Sequence, residues 1–297
     1  MFEQIGFKNF VNREQTGEYT GIEFDTYIED KGAEVLVGIS FSMHYYASGA
    51  GEPLILVHSI GQNSYTWRKV FEPLAKDFNT FAVDLPAHGF SGRPEISYSI
   101  EDFALSLEAF MNSRRIIAAN FIAFGEAAAY VLDFAIHNLK RTKKIILVSP
   151  VMAGEAGLSK GRGMPSVFGS TAARAKVTPT VMRAVLEDCY FDRTLVTDEV
   201  VKEYVNGMAD KDFRIIARMC VNNFVDDDVL ANLGAIRQPI LVIVGNDDKI
   251  TGGPNSDYLN LGFENGSFLN VRNCGYLVHE EKPDKVLDAV NKFMGAK

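Results

Sequence analysis

The chain is short of several things that would have decided its class at once. Its 297 residues hold three cysteines, Cys189, Cys220 and Cys274, which are far apart and odd in number. No CxxC pair or ligand cluster forms, so neither a disulfide framework nor a metal site is expected, and free thiols in a reducing compartment are. There is no excess of basic charge. The formal net charge of -8 excludes the phosphate-neutralising footprint that nucleic-acid binding requires. No apolar run reaches the length of a membrane-spanning helix. Met1-Phe2-Glu3-Gln4 brings no basic flank ahead of an apolar stretch, so no signal peptide is expected and a cytoplasmic location is. What remains is an ordinary globular balance, 47% hydrophobic and 23% charged, in a chain long enough for one large domain with an insertion.

Short, continuous apolar runs stand at Pro53–Val57, Thr80–Val83, Ile116–Phe124, Lys144–Val148 and Pro239–Val244. Such runs fit strands buried on both faces of a parallel sheet. Helix-length segments lie between them, at Tyr65–Leu74, Ile100–Met111 and Glu126–Asn138, and a last helix spans Pro283–Met294. Alternation of this kind predicts an α/β fold with a mostly parallel central sheet flanked by helices. Residues 1–30 read as an irregular or strand-like lead-in, and Glu34–Tyr46 as one or two antiparallel edge strands. From about Val151 to Gly234 the rhythm breaks. A glycine-rich stretch, Gly154–Gly163, leads into helical patches at Thr178–Leu186 and Glu199–Met208, the first opened by Thr178-Pro179 as cap and first-turn proline. This predicts a core of residues 1–150 and 235–297, and a helical insertion over 151–234 packed across one edge of the sheet.

Four motifs follow one another along this framework. Leu56-Val57-His58-Ser59-Ile60-Gly61 ends a strand, with Trp67 shortly after, and Val83-Asp84-Leu85-Pro86-Ala87-His88-Gly89-Phe90-Ser91 ends the next. Gly245-Asn246-Asp247-Asp248 closes a later strand, and Gly275 to Pro283 reads GYLVHEEKP. In order and spacing these resemble the motifs of the α/β-hydrolase superfamily from about residue 36 onward. The resemblance implies an α/β-hydrolase fold with a helical cap. It also implies scaffold roles for Asp84, Trp67, His58 and His88, and a Ser-His-Asp triad whose nucleophile sits on a sharp strand-to-helix elbow.

Two of the three triad positions are changed. The elbow reads Ile122-Ala123-Phe124-Gly125-Glu126-Ala127-Ala128, which puts Gly125, with no side chain, at the nucleophile. Tyr276 stands at the histidine, and a phenol with an ordinary pKa near ~10 is a poor base at neutral pH. Asp248 keeps the acid position with nothing to orient. Of the other histidines, His44, His58, His88 and His137 are not placed to replace the base, while His279, three residues past Tyr276, is the one with a route to the pocket. Gly157-Leu158-Ser159-Lys160-Gly161 matches G-x-S-x-G formally, but it lacks a strand before it and a helix after it, so it reads as a chance match.

The positions of Ser59, Ile60 and Glu126 can line an oxyanion hole in this superfamily, and two readings stay open for them. The Ile60 and Glu126 amides hold a ligand carbonyl or carboxylate, or they only continue a turn and a helix start. The Glu126 carboxylate is read first as a favourable charge at a helix N-terminus and second as a base beside the pocket. Tyr276 is read as a plug that donates to Asp248, with a ligand-binding or catalytic phenol as the alternative. Met182, Met208 and Phe213 of the insertion are read as core or pocket wall. Ser59, Ile60, Gly125, Glu126 and Tyr276 are thus the expected ligand contacts, with no metal and no cofactor. The function expected is binding of a small, mostly apolar ligand without hydrolysis, with room for a protein partner and none for nucleic acid or membrane. A cofactor-free lyase, isomerase or cyclase, and a hydrolase with relocated residues, are the alternatives.

Overall fold

A computed structural model describes residues 17–30, 33–152, 167–174, 176–208, 212–253 and 263–295. The glycine-rich entry to the insertion, with Ser159, lies outside the described residues. Eight strands form one sheet: β1 (Glu18–Asp30), β2 (Ala33–Ser48), β3 (Glu52–Val57), β4 (Phe78–Val83), β5 (Ala119–Phe124), β6 (Thr142–Val148), β7 (Ile240–Gly245) and β8 (Gly266–Val271), in the order β1-β2-β4-β3-β5-β6-β7-β8. β1 pairs antiparallel with β2, and β2 with β4; every later pairing is parallel. The continuous apolar runs are the central strands, and all six residues of β5 and of β7 are buried. Helices on either face explain why these strands show no alternation.

Of the two readings of the lead-in, the strand holds over 18–30: β1 pairs with β2 along its whole length, from Glu18 opposite Tyr45 to Asp30 opposite Ala33. Three other expectations are corrected. The run expected from Ile116 becomes strand only at Ala119, because Arg115 turns back through positive φ just before it. The helix expected over Tyr65–Leu74 is two pieces, a turn of 3-10 helix at Ser64–Trp67 and the short α1 (Phe71–Leu74). The insertion is helical where described, but it sits on the carboxyl ends of the strands and not across an edge: Gln62, in the loop after β3, donates to the Tyr204 hydroxyl at 3.2 Å, and the Tyr276 amide donates to the Cys189 carbonyl at 2.7 Å.

The remaining helices are α2 (Ile100–Ser113), α3 (Ala127–His137), then α4 (Val167–Arg174), α5 (Pro179–Cys189), α6 (Asp198–Gly207), α7 (Phe213–Asn222) and α8 (Asp227–Asn232) of the insertion, and α9 (Val278–Glu281) and α10 (Pro283–Met294). Their ends follow local chemistry. Ser99 and Asp102 form a reciprocal capping box at the start of α2, and Thr26 of β1 donates to the same Asp102 at 2.6 Å. Thr178 caps α5 with Pro179 in its first turn. Met182, Met208 and Phe213 are buried in the cluster that joins insertion and sheet, and none of the described helices is long and apolar enough to cross a membrane.

One buried carboxylate holds the insertion down. Glu280 Oε2 accepts from Arg68 Nη2 at 2.6 Å and from the Tyr190 hydroxyl at 2.5 Å, while Oε1 accepts from the Tyr204 hydroxyl at 2.6 Å and from Thr66 at 2.9 Å. Burial alone would push this carboxyl up, but Arg68 and the hydroxyl donors outweigh it and hold it at about 2. Core residues 66 and 68 and insertion residues 190 and 204 therefore meet on one charge. Removing the carboxylate leaves Arg68 buried and unpaired, which typically costs about 3–5 kcal/mol. Glu280→Ala should lower the urea-unfolding free energy by that amount, and Glu280→Gln by less.

Candidate functional site

A sharp turn joins β5 to α3. β5 ends at Phe124 and α3 begins at Ala127, so the chain must reverse within two residues, and Gly125 does so at φ +60°. Glycine adopts this backbone freely, while another residue would bear a strain of about 1–3 kcal/mol. A Cβ placed on Gly125 would lie 2.5 Å from the Tyr276 hydroxyl and 2.9 Å from Ser59 Oγ. The space that a nucleophile's side chain would fill is thus taken by a phenol oxygen and a serine oxygen. The Tyr276 ring packs on Phe124 with centroids 4.7 Å apart, and its carbonyl accepts from Ser149 Oγ at 2.8 Å. Ser59, Ile60, Glu126 and Tyr276 are all fully buried.

The expected hydrogen bond from Tyr276 to Asp248 is not made. Asp248 turns its carboxylate onto its own loop: Oδ1 accepts from the Ile250 and Thr251 amides at 2.8 and 3.0 Å, and Oδ2 from the Thr251 hydroxyl at 2.5 Å. Burial raises its pKa, and these three donors work against the rise. Glu126 stands at the N-terminus of α3, where its charge is expected; it makes no side-chain cap, and its Oε2 accepts the Ser59 hydroxyl. Ser59 and Glu126, 67 residues apart, are therefore one polar unit beside Gly125. Either residue could be picked out of a motif, but no spacing signals their pairing.

His279 does not reach the elbow space. Its ring lies between Trp67 and Phe124, 4.6 Å from each, and its Nε2 is 2.7 Å from Thr66 Oγ1. This hydroxyl–imidazole contact has the wrong polarity for catalysis. The Thr66 proton is needed by the ionised Glu280, so His279 Nε2 carries hydrogen and donates to Thr66, and it cannot deprotonate it. Burial holds the imidazole at about 3. The other motif residues are scaffold. Asp84 binds His44 Nδ1 at 2.7 Å and the amides of Ser64 and Phe90; although burial opposes it, His44 helps to hold its pKa at about 2. His58 Nε2 accepts from the Leu85 amide, so its Nδ1 donates to the Ser59 carbonyl at 2.8 Å and fixes the loop after β3. His88 Nδ1 donates to the Pro86 carbonyl, and burial lowers its pKa to about 3. His137 is exposed, and all three cysteines are buried free thiols. Among the described residues no group of His, Cys, Asp and Glu is arranged to hold a metal ion. A surface cavity of about 590 Å³ opens away from the elbow, between Ile28, Pro94–Tyr98 and the Ile215 and Met219 face of α7.

Sheet order, elbow and cap together define a hydrolase-type α/β scaffold. The family profile described as alpha/beta hydrolase fold matches residues 52–283, and the chain belongs to that family. It is 26% identical over 275 residues to the 2-hydroxy-6-oxo-2,4-heptadienoate hydrolase of Pseudomonas putida, covering 87% of this chain and 94% of that one. It is 24% identical to the soluble epoxide hydrolase of a Corynebacterium species, covering 85% and 93%. Among solved structures, a meta-cleavage product hydrolase from Pseudomonas fluorescens IP01 superposes with a TM-score of 0.74 at 21% identity, covering 91% of this chain and 97% of that one.

Two outcomes follow from the geometry. Gly125→Ser should destabilise the chain by at least about 2 kcal/mol, from backbone strain and the contact with Tyr276. Adding Tyr276→Phe should return part of that loss in a double-mutant cycle, because it removes the nearest atom. The buried histidines set an acid limit. His88 and His279 titrate near 6.5 when unfolded and about 3 when folded, so their contribution is complete above pH 6.5 and is lost as pH falls from 6.5 toward 3. Each adds a slope of about 1.4 kcal/mol per pH unit in that window. Asp84 and Glu280 add further loss below about pH 4.5, toward 2. Denaturant titrations between pH 7.5 and 5 should show the histidine slope, and His88→Phe should flatten it by one proton.

Proposed function

We propose that this member of the family binds a small, mostly apolar ligand between the cap and the carboxyl ends of the strands, and does not hydrolyse it. One observation carries the reading: the nucleophile position is Gly125, and the Tyr276 hydroxyl lies 2.5 Å from where its Cβ would be. Acyl transfer needs a nucleophile and a base in contact, with the base oriented by an acid. At this elbow there is no nucleophile, the histidine position carries a phenol, and Asp248 is engaged with Thr251. Ser59, Glu126 and Tyr276 lie beside Gly125, at the strand ends where open α/β sheets place their sites, and with Ile60 they are the proposed ligand contacts.

A second reading, hydrolysis through relocated residues, is favoured by the relatives. Two of them carry the names of hydrolases and are matched over 94% and 93% of their lengths. The Thr66–His279 contact does not supply the pair this reading needs, since its proton runs the wrong way.

Labelling separates the two. The intact chain treated with a fluorophosphonate should gain no mass. An adduct on any serine, Ser159 included, would overturn the non-hydrolytic reading and leave the second in its place. Gly125→Ser combined with Tyr276→His should bring p-nitrophenyl butyrate turnover measurably above that of the unchanged chain. A well-folded double variant without turnover would locate the divergence in the pocket as a whole.

A further inference from the structure

The loop that carries Tyr276 is fastened to the cap as well as to the sheet's acid turn, where the Asp247 amide donates to the Cys274 carbonyl at 2.9 Å. The Tyr276 amide donates to the Cys189 carbonyl at the end of α5. A Cβ on Gly275 would collide with that same carbonyl and approach the Phe191 nitrogen to 2.9 Å, so the two backbones touch. Glu281 bridges them. Its Oε2 accepts from the Gly275 amide at 2.7 Å and from the Phe191 amide at 3.2 Å, and its Oε1 accepts from the Asp192 amide at 2.8 Å. One carboxylate thus binds the cap segment 189–192 and the residue before Tyr276 into a single unit. The other end of the tyrosine fills the space above Gly125, its hydroxyl toward Ser59 and its ring on Phe124.

We propose that this arrangement is the self-occupied, closed state of the ligand site: the Tyr276 phenol stands where the aryl-hydroxyl head of the ligand binds, and it leaves when segment 189–192 shifts. The inference rests on the reading of the space above Gly125 as a ligand site. It adds the chemical class of the ligand and the element that controls entry. The slot holds a phenol ring on the face of Phe124, with its oxygen and Ser59 Oγ 2.5 and 2.9 Å from where a Gly125 Cβ would lie. A para-alkyl phenol has the same ring and the same oxygen to place there. The backbone that carries Tyr276 shifts only together with the cap segment, because its amide and the Gly275 amide are held by Cys189 and Glu281.

The test uses p-cresol, the side chain of tyrosine as a free molecule, with the full-length chain. By titration calorimetry Tyr276→Ala should bind p-cresol at least tenfold more tightly than the unchanged chain. Glu281→Gln, which keeps Tyr276 but loosens the bridge, should bind it at least threefold more tightly. In hydrogen exchange the same Glu281→Gln chain should lose protection at 189–192 and at 274–278 together, by tenfold or more. If the folded Tyr276→Ala chain does not bind p-cresol, the ligand-site reading itself fails. If it binds while Glu281→Gln changes neither affinity nor the 274–278 amides, the site stands and the coupling to the cap is overturned. Should Tyr276→Ala not fold, the exchange experiment decides alone: loss of protection at 189–192 without loss at 274–278 overturns the proposal.

Discussion

A chain that leaves a buried strand and enters a buried helix with two residues between them has to turn through left-handed backbone, and here it does so at Gly125. Much of the surrounding site follows from that constraint. All of β5 and the first turns of α3 are buried, so the turn cannot relax outward. With a side chain at the turn, the strain is stored at the reactive atom; with glycine, it disappears. The vacated volume cannot stay empty in an interior packed to crystal-like density. Tyr276 and Ser59 fill it. Asp248 takes no part in that filling, and its carboxylate is satisfied three residues along, by Thr251.

The second constraint is electrostatic. A carboxylate as deeply buried as Glu280 persists in its charged form only if donors replace its lost water. Arg68, Thr66, Tyr190 and Tyr204 provide them, two from the core and two from the cap. Those donors also fix the proton order around Thr66, and hence the tautomer of His279. His279, three residues past Tyr276, is therefore a neutral packing element between Trp67 and Phe124. The cap is held by buried charge at Glu280 and by amide bonds at Glu281, adjacent residues with different partners.

What could be read in the sequence was what depends on neighbours along the chain. The central strands appeared as unbroken apolar runs because both faces are covered, and Gly125 and Tyr276 emerged from motif register alone. The Tyr276–Asp248 bond was expected wrongly, because motif order gives the position of an acid but not the direction of its side chain; Thr251, three residues on, decides that. The Glu280 cluster was invisible for a different reason. Its members come from residues 66, 68, 190, 204 and 280, with no period or spacing to join them, and only the fold brings them together. The Ser59–Glu126 pair falls between these cases, since each residue stood in a motif and the contact crosses two strands' ends.

Filling a site with one of its own side chains has a thermodynamic consequence for any ligand that uses it. The ligand competes with an occupant that is always present and never dilute, so its affinity falls by the fraction of molecules in which the occupant is out. A closed state favoured a hundredfold reduces affinity a hundredfold, about 2.7 kcal/mol. On the proposal that Tyr276 closes the site, the bonds at Cys189 and Glu281 would contribute to that preference, although they lie outside the slot. A substitution in the cap, far from Gly125, would then change binding by altering how often the phenol is home, without touching a ligand contact. Cap and elbow are joined because Tyr276, which stands above Gly125, arrives on a loop that the cap holds.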